Sequence, residues 1–156
     1  MKEIQLTQGQ VALVDDEDFE ALSQSKWWAN KDRNTFYAYR WIKVDGKGIA
    51  QSMHNAILNG KGIDHIDKNG LNNQKSNLRF CTISENAMNQ RKQRNTSSIY
   101  KGVCIDKPYG KWRSHIRING KAIDLGSFTS EVEAAKAYNA KAIELFGEFA
   151  NLNNFN

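Results

Sequence analysis

An imidazole beside a carboxylate can begin a hydrolysis, and this chain carries such a pair in Gly62-Ile63-Asp64-His65-Ile66. Cutting a phosphodiester needs an activated water and a counter-charge for the departing 3′ oxygen. A histidine can take the proton from water near neutral pH. Asp64 and, further along, Asn86 offer two hard oxygens to one divalent cation. Mg²⁺ suits that set best and Mn²⁺ next, since such an ion keeps its remaining positions for water and phosphate.

The elements around these residues must aim them. The pattern predicts a strand over about 62–66, a polar loop, a second strand over about 77–81, and a helix starting at Thr82, with Thr82 and Glu85 spaced as a capping box. Asn86 then falls in the helix's second turn. Neighbouring side chains on a flat strand point to opposite faces, so Asp64 and His65 serve one site only if the strand twists or ends there. The loop's Asp67-x-Asn69-Gly70 looks like a calcium loop, but that register puts His65 at position one and Ser76 at position twelve, neither a suitable ligand. The residues alone leave two duller readings open, a buried structural histidine and an ordinary turn rich in Asn and Gly.

Upstream, residues 4–7 and 10–14 read as short strands. Asp15-Asp16-Glu17-Asp18 reads as an N-cap followed by the acidic first turn of a short helix, not as a metal cluster. Residues 35–44 and 48–53 alternate as a hairpin around Asp45-Gly46. Trp27, Trp28, Tyr37, Tyr39 and Trp41 are expected in the core and not as base-stacking platforms.

Charge location separates two halves. The 156-residue chain carries a net +5, yet residues 1–90 balance. Residues 91–121 hold nine Lys and Arg against Asp106 alone, a concentration that calls for a polyanion such as a phosphate backbone. The polar run 90–98 reads as a linker. Beyond it, Lys111–Ile118 alternates with period two and Asn119-Gly120 turns it back. In that register Ile118 opposes Lys121, Ile116 opposes Ile123, and His115 opposes Asp124 as an ion pair. Trp112, Ile116, Ile118, Ile123 and Leu125 share one face, and Lys111, Arg113, His115 and Arg117 share the other. A helix capped by Ser130 and ended by Gly147 presents Val132, Ala135, Tyr138, Ala142 and Leu145 to the apolar face. Cys81 and Cys104 form no CxxC pair, which argues against a zinc ribbon or a disulfide framework. Met1–Leu6 lacks the apolar run of a signal peptide, and no stretch of about 18 apolar residues occurs. A soluble, cytoplasmic protein is expected, in a host cell's cytoplasm if phage-encoded.

Residues 62–86 resemble the HNH (His-Me finger) endonuclease motif in the subgroup of bacteriophage homing endonucleases. The marks are Asp64-His65, the loop asparagines, Asn77-Leu78-Arg79 and Asn86. The resemblance implies a ββα-metal module in which His65 is the general base, Asn77 braces the loop, and Asp64 and Asn86 bind the metal. Ser52-Met53-His54-Asn55 matches a stretch where that family usually has Met-His-Arg, so Asn55 implies a lost phosphate contact, and His54 is read as a packing or supporting residue.

Residues 99–154 resemble the plant ethylene-response-factor (APETALA-type) DNA-binding domain. They do so through Tyr100-Lys101-Gly102-Val103, Gly110-Lys111-Trp112, Ile116-Arg117, Leu125-Gly126-x-Phe128, Glu133-Ala134-Ala135-x-Ala137-Tyr138 and Ala150-x-Leu152-Asn153. This implies three antiparallel strands on one helix, with strand side chains in the major groove. Cys104 and Asp106 replace arginines common in those domains, and Asp124 replaces a tryptophan.

The expectation is an α+β chain: a nuclease module with a strand-rich extension over 1–90, a basic linker over 91–98, and a DNA-binding domain over 99–156. Lys101, Lys111, Arg113, His115, Arg117 and Lys121 are its expected DNA contacts. The expected activity is site-preferring, metal-dependent cleavage of double-stranded DNA, one strand per centre, with no membrane or small-molecule partner. The protein would act as a monomer or a dimer formed on DNA. The alternative is a DNA-binding regulator with a degenerate cutting centre.

Overall fold

Asp45-Gly46 and Asn119-Gly120 both have positive φ at each residue, 49° and 76° in the first turn and 50° and 76° in the second. That geometry makes the two-residue turn whose twist matches its flanking strands, and each pair closes a hairpin in a different sheet. The computed structural model describes residues 1–32, 34–90, 92 and 96–155. They form two compact units of mixed α and β structure, Met1–Thr82 and Ile83–Asn156. Of the expected linker, Arg91, Gln93, Arg94 and Asn95 lie outside the described residues. Ser97 and Ser98 are bonded into the second unit, where Ser98 Oγ donates to Glu131 at 2.6 Å and Ser97 Oγ accepts from Ile105 N at 3.0 Å.

In the first unit β1 (Lys2–Gln5) pairs antiparallel with β2 (Val11–Val14), and α1 (Asp16–Ser23) follows. A three-stranded sheet runs β3 (Trp28–Asp32), β4 (Thr35–Val44), β5 (Lys47–Ser52). The sequence reading had β4 and β5 but not β3, whose Asn-Lys-Asp end lacks strand propensity and is held by pairing with β4. Then come α2 (Met53–Leu58) and the short pair β6 (Ile63–His65) and β7 (Leu78–Phe80). Ala12, Val14, Leu22, Trp27, Ala38 and Met53 form the core.

Asp15 stands at the N-cap of α1, yet its carboxylate makes no capping bond. It reaches across to the loop between β6 and β7, accepting from Lys75 N at 2.8 Å and Gln74 Nε2 at 3.2 Å. That loop is also pinned to β2, where Leu13 N donates to Leu71 O and Leu13 O accepts from Asn73 N, both at 2.8 Å. Gly70 is required by close approach. A Cβ there would sit 2.5 Å from both Phe36 O and the Tyr37 ring.

The second unit opens with α3 (Ile83–Asn89) and holds β8 (Val103–Asp106), β9 (Lys111–Ile118), β10 (Lys121–Phe128) and α4 (Glu131–Phe146). Its sheet runs β10-β9-β8, all antiparallel, as the ethylene-response-factor resemblance implied. The expected register holds from Ile118–Lys121 to His115–Asp124, after which a bulge intervenes before Gly126. On α4 the buried residues are Ala134, Ala135, Tyr138, Ala142 and Phe146. Val132, expected at this interface, is exposed, and Phe146 one turn beyond Ala142 fills the core instead. Gly102 explains part of the Tyr-Lys-Gly-Val signature. With φ 75°, its Cβ would meet the Tyr138 ring at 2.0 Å.

Candidate functional site

His65 and Asp64 lie on β6, whose three residues are all buried. Cross-strand pairing sets Asp64 opposite Arg79 and His65 opposite Leu78. Arg79 Nη2 donates to Asp64 Oδ2 at 2.9 Å and Nε to the same oxygen at 3.3 Å. Both side chains are largely withdrawn from water, at 11% and 8% exposure. The aspartate is therefore oriented by a fixed cation, a constraint the sequence reading did not include.

His65 packs with Tyr37 and His54, at ring-centre distances of 5.6 Å and 5.0 Å. Its Nε2 lies 3.3 Å from Asn73 Oδ1. Asn73 is wholly buried, and its Nδ2 finds no hydrogen-bond partner. Burial pushes the His65 pKa below the usual histidine value, against the Asn73 bond and the nearby Asp67 and Asp64 carboxylates, which favour the charged ring. The neutral imidazole, the form able to accept a proton, is thereby favoured.

His54 bonds through Nε2 to Ser52 Oγ at 3.0 Å. Burial, and then the His65 charge, lower its pKa to about 4. The unfolded chain holds this proton more tightly than the folded one, so the stabilisation is present above pH ~6.5 and fades as pH falls toward 4. The first unit should lose about 3 kcal/mol across that window. Thermal melts at pH 7 and pH 4 check this, and His54→Gln should flatten the difference.

Asn77 spans the loop. Its Nδ2 donates to Asp67 Oδ1 at 2.9 Å and Asn72 O at 2.8 Å, while its Oδ1 accepts from Asp67 N at 3.0 Å. Asn86 is exposed on α3, an element of the second compact unit. Among the described residues no group of three or more His, Cys, Asp and Glu could hold a metal ion. A single carboxylate with amide oxygens still fits a hard cation that takes one or two protein ligands and completes its shell with phosphate and water.

In the second unit Lys111, Arg113, His115 and Arg117 alternate along β9 on the face away from α4, with Lys121 beside the hairpin turn. Asp124 pairs with Arg113 and not, as expected, with His115, because Arg113 Nη2 and Nε reach Asp124 Oδ2 at 2.6 and 3.2 Å. A longer side chain and a fork matched to a carboxylate favour that diagonal partner. Lys101 turns inward, its Nζ donating to Met88 O at 2.8 Å and Gln90 O at 2.7 Å at the end of α3. The sequence could not show this, since both carbonyls belong to backbone. Asn153 explains the last family mark, bonding the Lys101 backbone through both its Oδ1 and Nδ2.

Residues missed in the sequence reading are Arg79, Asn73 and Tyr37. Arg79 was legible once His65 is paired with Leu78, since Asp64 must then face it. Asn73 and Tyr37 carried no signal, because their contacts depend on how the loop lies on β2 and β4.

Comparison with known proteins fits this arrangement. Residues 49–88 match the family model for HNH endonucleases, a span from β5 through Asn86. A protein of Acanthamoeba polyphaga mimivirus named as an uncharacterized HNH endonuclease is 33% identical over 147 residues, covering 91% of this chain and 74% of the relative. Protein 3.8 of Escherichia phage T7 is 32% identical over 102 residues, 65% of this chain and 84% of that protein. APETALA2-like protein 2 of Oryza sativa subsp. indica is 41% identical over 64 residues, 41% of this chain but 15% of that protein. No solved structure matches the chain. With a relative of that identity matched along most of both lengths, the chain belongs to the HNH endonuclease family, and an APETALA2-like region accompanies its nuclease domain.

Proposed function

We propose that this chain is a metal-dependent, site-preferring DNA endonuclease in which the first unit cuts and the β9 face grips DNA. The observation that carries it is the buried Asp64–His65 neighbour pair, braced by Arg79 and Asn73, inside the family-matching segment. His65 accepts a proton from the attacking water. Asn77 keeps the loop closed over β6. Asp64 would hold a divalent ion, Mg²⁺ in preference to Mn²⁺. When bound, that ion supplies charge to stabilise the departing 3′ oxygen. One such centre cuts one strand, so the protein nicks as a monomer and cuts both strands only when two copies meet on DNA. The viral relatives suggest a host-cell setting, and no described helix is long and apolar enough to cross a membrane.

Arg117 is the best-placed residue for a guanine edge. Arg113 must first exchange Asp124 for DNA. Arg117→Ala should weaken binding by about 1–3 kcal/mol and relax sequence preference. Lys111→Ala should lower the salt slope of binding by about 0.9. Lys101→Ala should leave that slope unchanged, because its ammonium is engaged by carbonyls. Fluorescence-anisotropy titrations at several salt concentrations separate these outcomes.

Selection of cleaved molecules from a random DNA library with Mg²⁺, both strands mapped, tests the whole reading. A recurrent nick at one sequence supports it, and no cleavage with any divalent ion contradicts it. A second reading, a DNA-binding regulator whose centre no longer cuts, draws on Asn55 and on the commitment of Asp64 to Arg79. It requires a sequence-specific footprint with no cleavage.

A further inference from the structure

The five aromatic residues expected in the core divide between the two faces of the β3–β4–β5 sheet. Trp27, just before β3, is buried beside Ala38. Tyr37, Tyr39 and Trp41 alternate with Ala38 along β4 and so share the opposite face. Trp28, paired with Tyr39, joins them. Ring contacts link this face to the catalytic histidine. Tyr37 lies against His65, Trp28 stacks on Tyr39 at 6.1 Å, and Trp28 touches Trp41 at 5.3 Å. The face extends along β4 from Tyr37, against a 4%-exposed His65, to a 69%-exposed Trp41, its ring contacts falling in two groups either side of the Tyr37–Tyr39 step.

Trp41 is informative less for its own exposure than because Trp28 and Tyr39 lie beside it, making one contiguous aromatic patch of the kind that marks an interaction surface. Its surroundings favour a polyanion with flat apolar parts. A cleft of about 390 Å³ lies beside Trp28 and Trp41, and Lys26, Ser25 and Arg40 line it with polar groups. Lys43, next on the same face of β4, is exposed.

We propose that this face binds the DNA strand next to the scissile phosphodiester, with a nucleobase drawn out of the duplex stack and laid on Trp41 and the adjoining phosphates near Lys26 and Lys43. The assignment rests on the nuclease reading for what occupies the face, and continuity with His65 fixes which part of the DNA reaches it. Stacking on an aromatic ring tolerates any base, because every base has a π face. Trp41 therefore contributes affinity and placement near the cut, while sequence is read on β9.

The test titrates wild-type, Trp41→Phe and Trp41→Ala proteins with a short duplex oligonucleotide, without divalent ions, and follows indole emission. Wild type should show a quenching component that Trp41→Phe lacks. Trp41→Ala should bind on the order of tenfold more weakly, with Trp41→Phe near wild type. Because Trp41 is exposed, unchanged thermal melts are expected for both variants. Equal affinity of a folded Trp41→Ala protein, with no Trp41-dependent quenching, would overturn the proposal. So would sedimentation showing a wild-type dimer that Trp41→Ala dissolves, which assigns the face to a second copy. Quenching by DNA with no cleavage under any ion would sink the nuclease reading and leave this surface standing.

Discussion

Replacing Asp64 by alanine is expected to abolish cleavage and also to destabilise the first unit by about 3–5 kcal/mol. The second effect follows from Arg79, whose guanidinium donates twice to Asp64 Oδ2 at a site where both side chains are nearly excluded from water. Removing the carboxylate takes from a desolvated cation an acceptor that it bonds twice. Loss of activity in Asp64→Ala alone therefore says little about catalysis. Two further variants separate the effects. Asp64→Asn keeps the shape and an acceptor, so it should melt closer to wild type while still losing cleavage. Asp64→Ala combined with Arg79→Met removes the stranded charge and should recover much of the stability with no recovery of cutting. Chemical denaturation and a nicking assay on the same three proteins check this. Recovered cleavage in the double variant would show that Asp64 is a structural partner of Arg79 and nothing more.

His65→Ala is expected to cut at least about a hundredfold more slowly, the usual cost of deleting a general base, while DNA binding stays near wild type. Binding should persist because the β9 cations belong to a separate compact unit. Its fold should survive better than that of Asp64→Ala, since the ring is favoured as the neutral form and leaves no stranded charge. Asn73 separates chemistry from packing. Asn73→Ala removes the Oδ1 contact to Nε2 and should slow cutting less than loss of the ring itself.

What the sequence showed depended on how local the cause was. Asn119-Gly120 and strict alternation were enough to set the β9–β10 register as far as His115–Asp124, because turn chemistry and period two are local. The bulge that follows, and the choice of Arg113 over His115 by Asp124, depend on side-chain reach across strands. Asp64 and His65 were recognisable by residue type. Most of their setting was not, because Asn73, Tyr37 and His54 arrive from three other stretches of chain. The aromatic run misled for a related reason. Composition alone treats Trp27 and Trp41 alike, while strand phase buries one and exposes the other. Lys101 and Asp15 belong to the same class: residues that look poised for ligand or cap but whose side chains hold distant backbone.

The central claim is that a hydrolytic centre at Asp64–His65 is served by a distinct DNA grip. Its most direct test measures bound and nicked DNA together, in one Mg²⁺ reaction, for wild type and His65→Ala. Equal bound fractions are expected, with nicks accumulating in the wild-type sample alone. Equal nicking by the two proteins, or loss of binding in a folded His65→Ala protein, would contradict it.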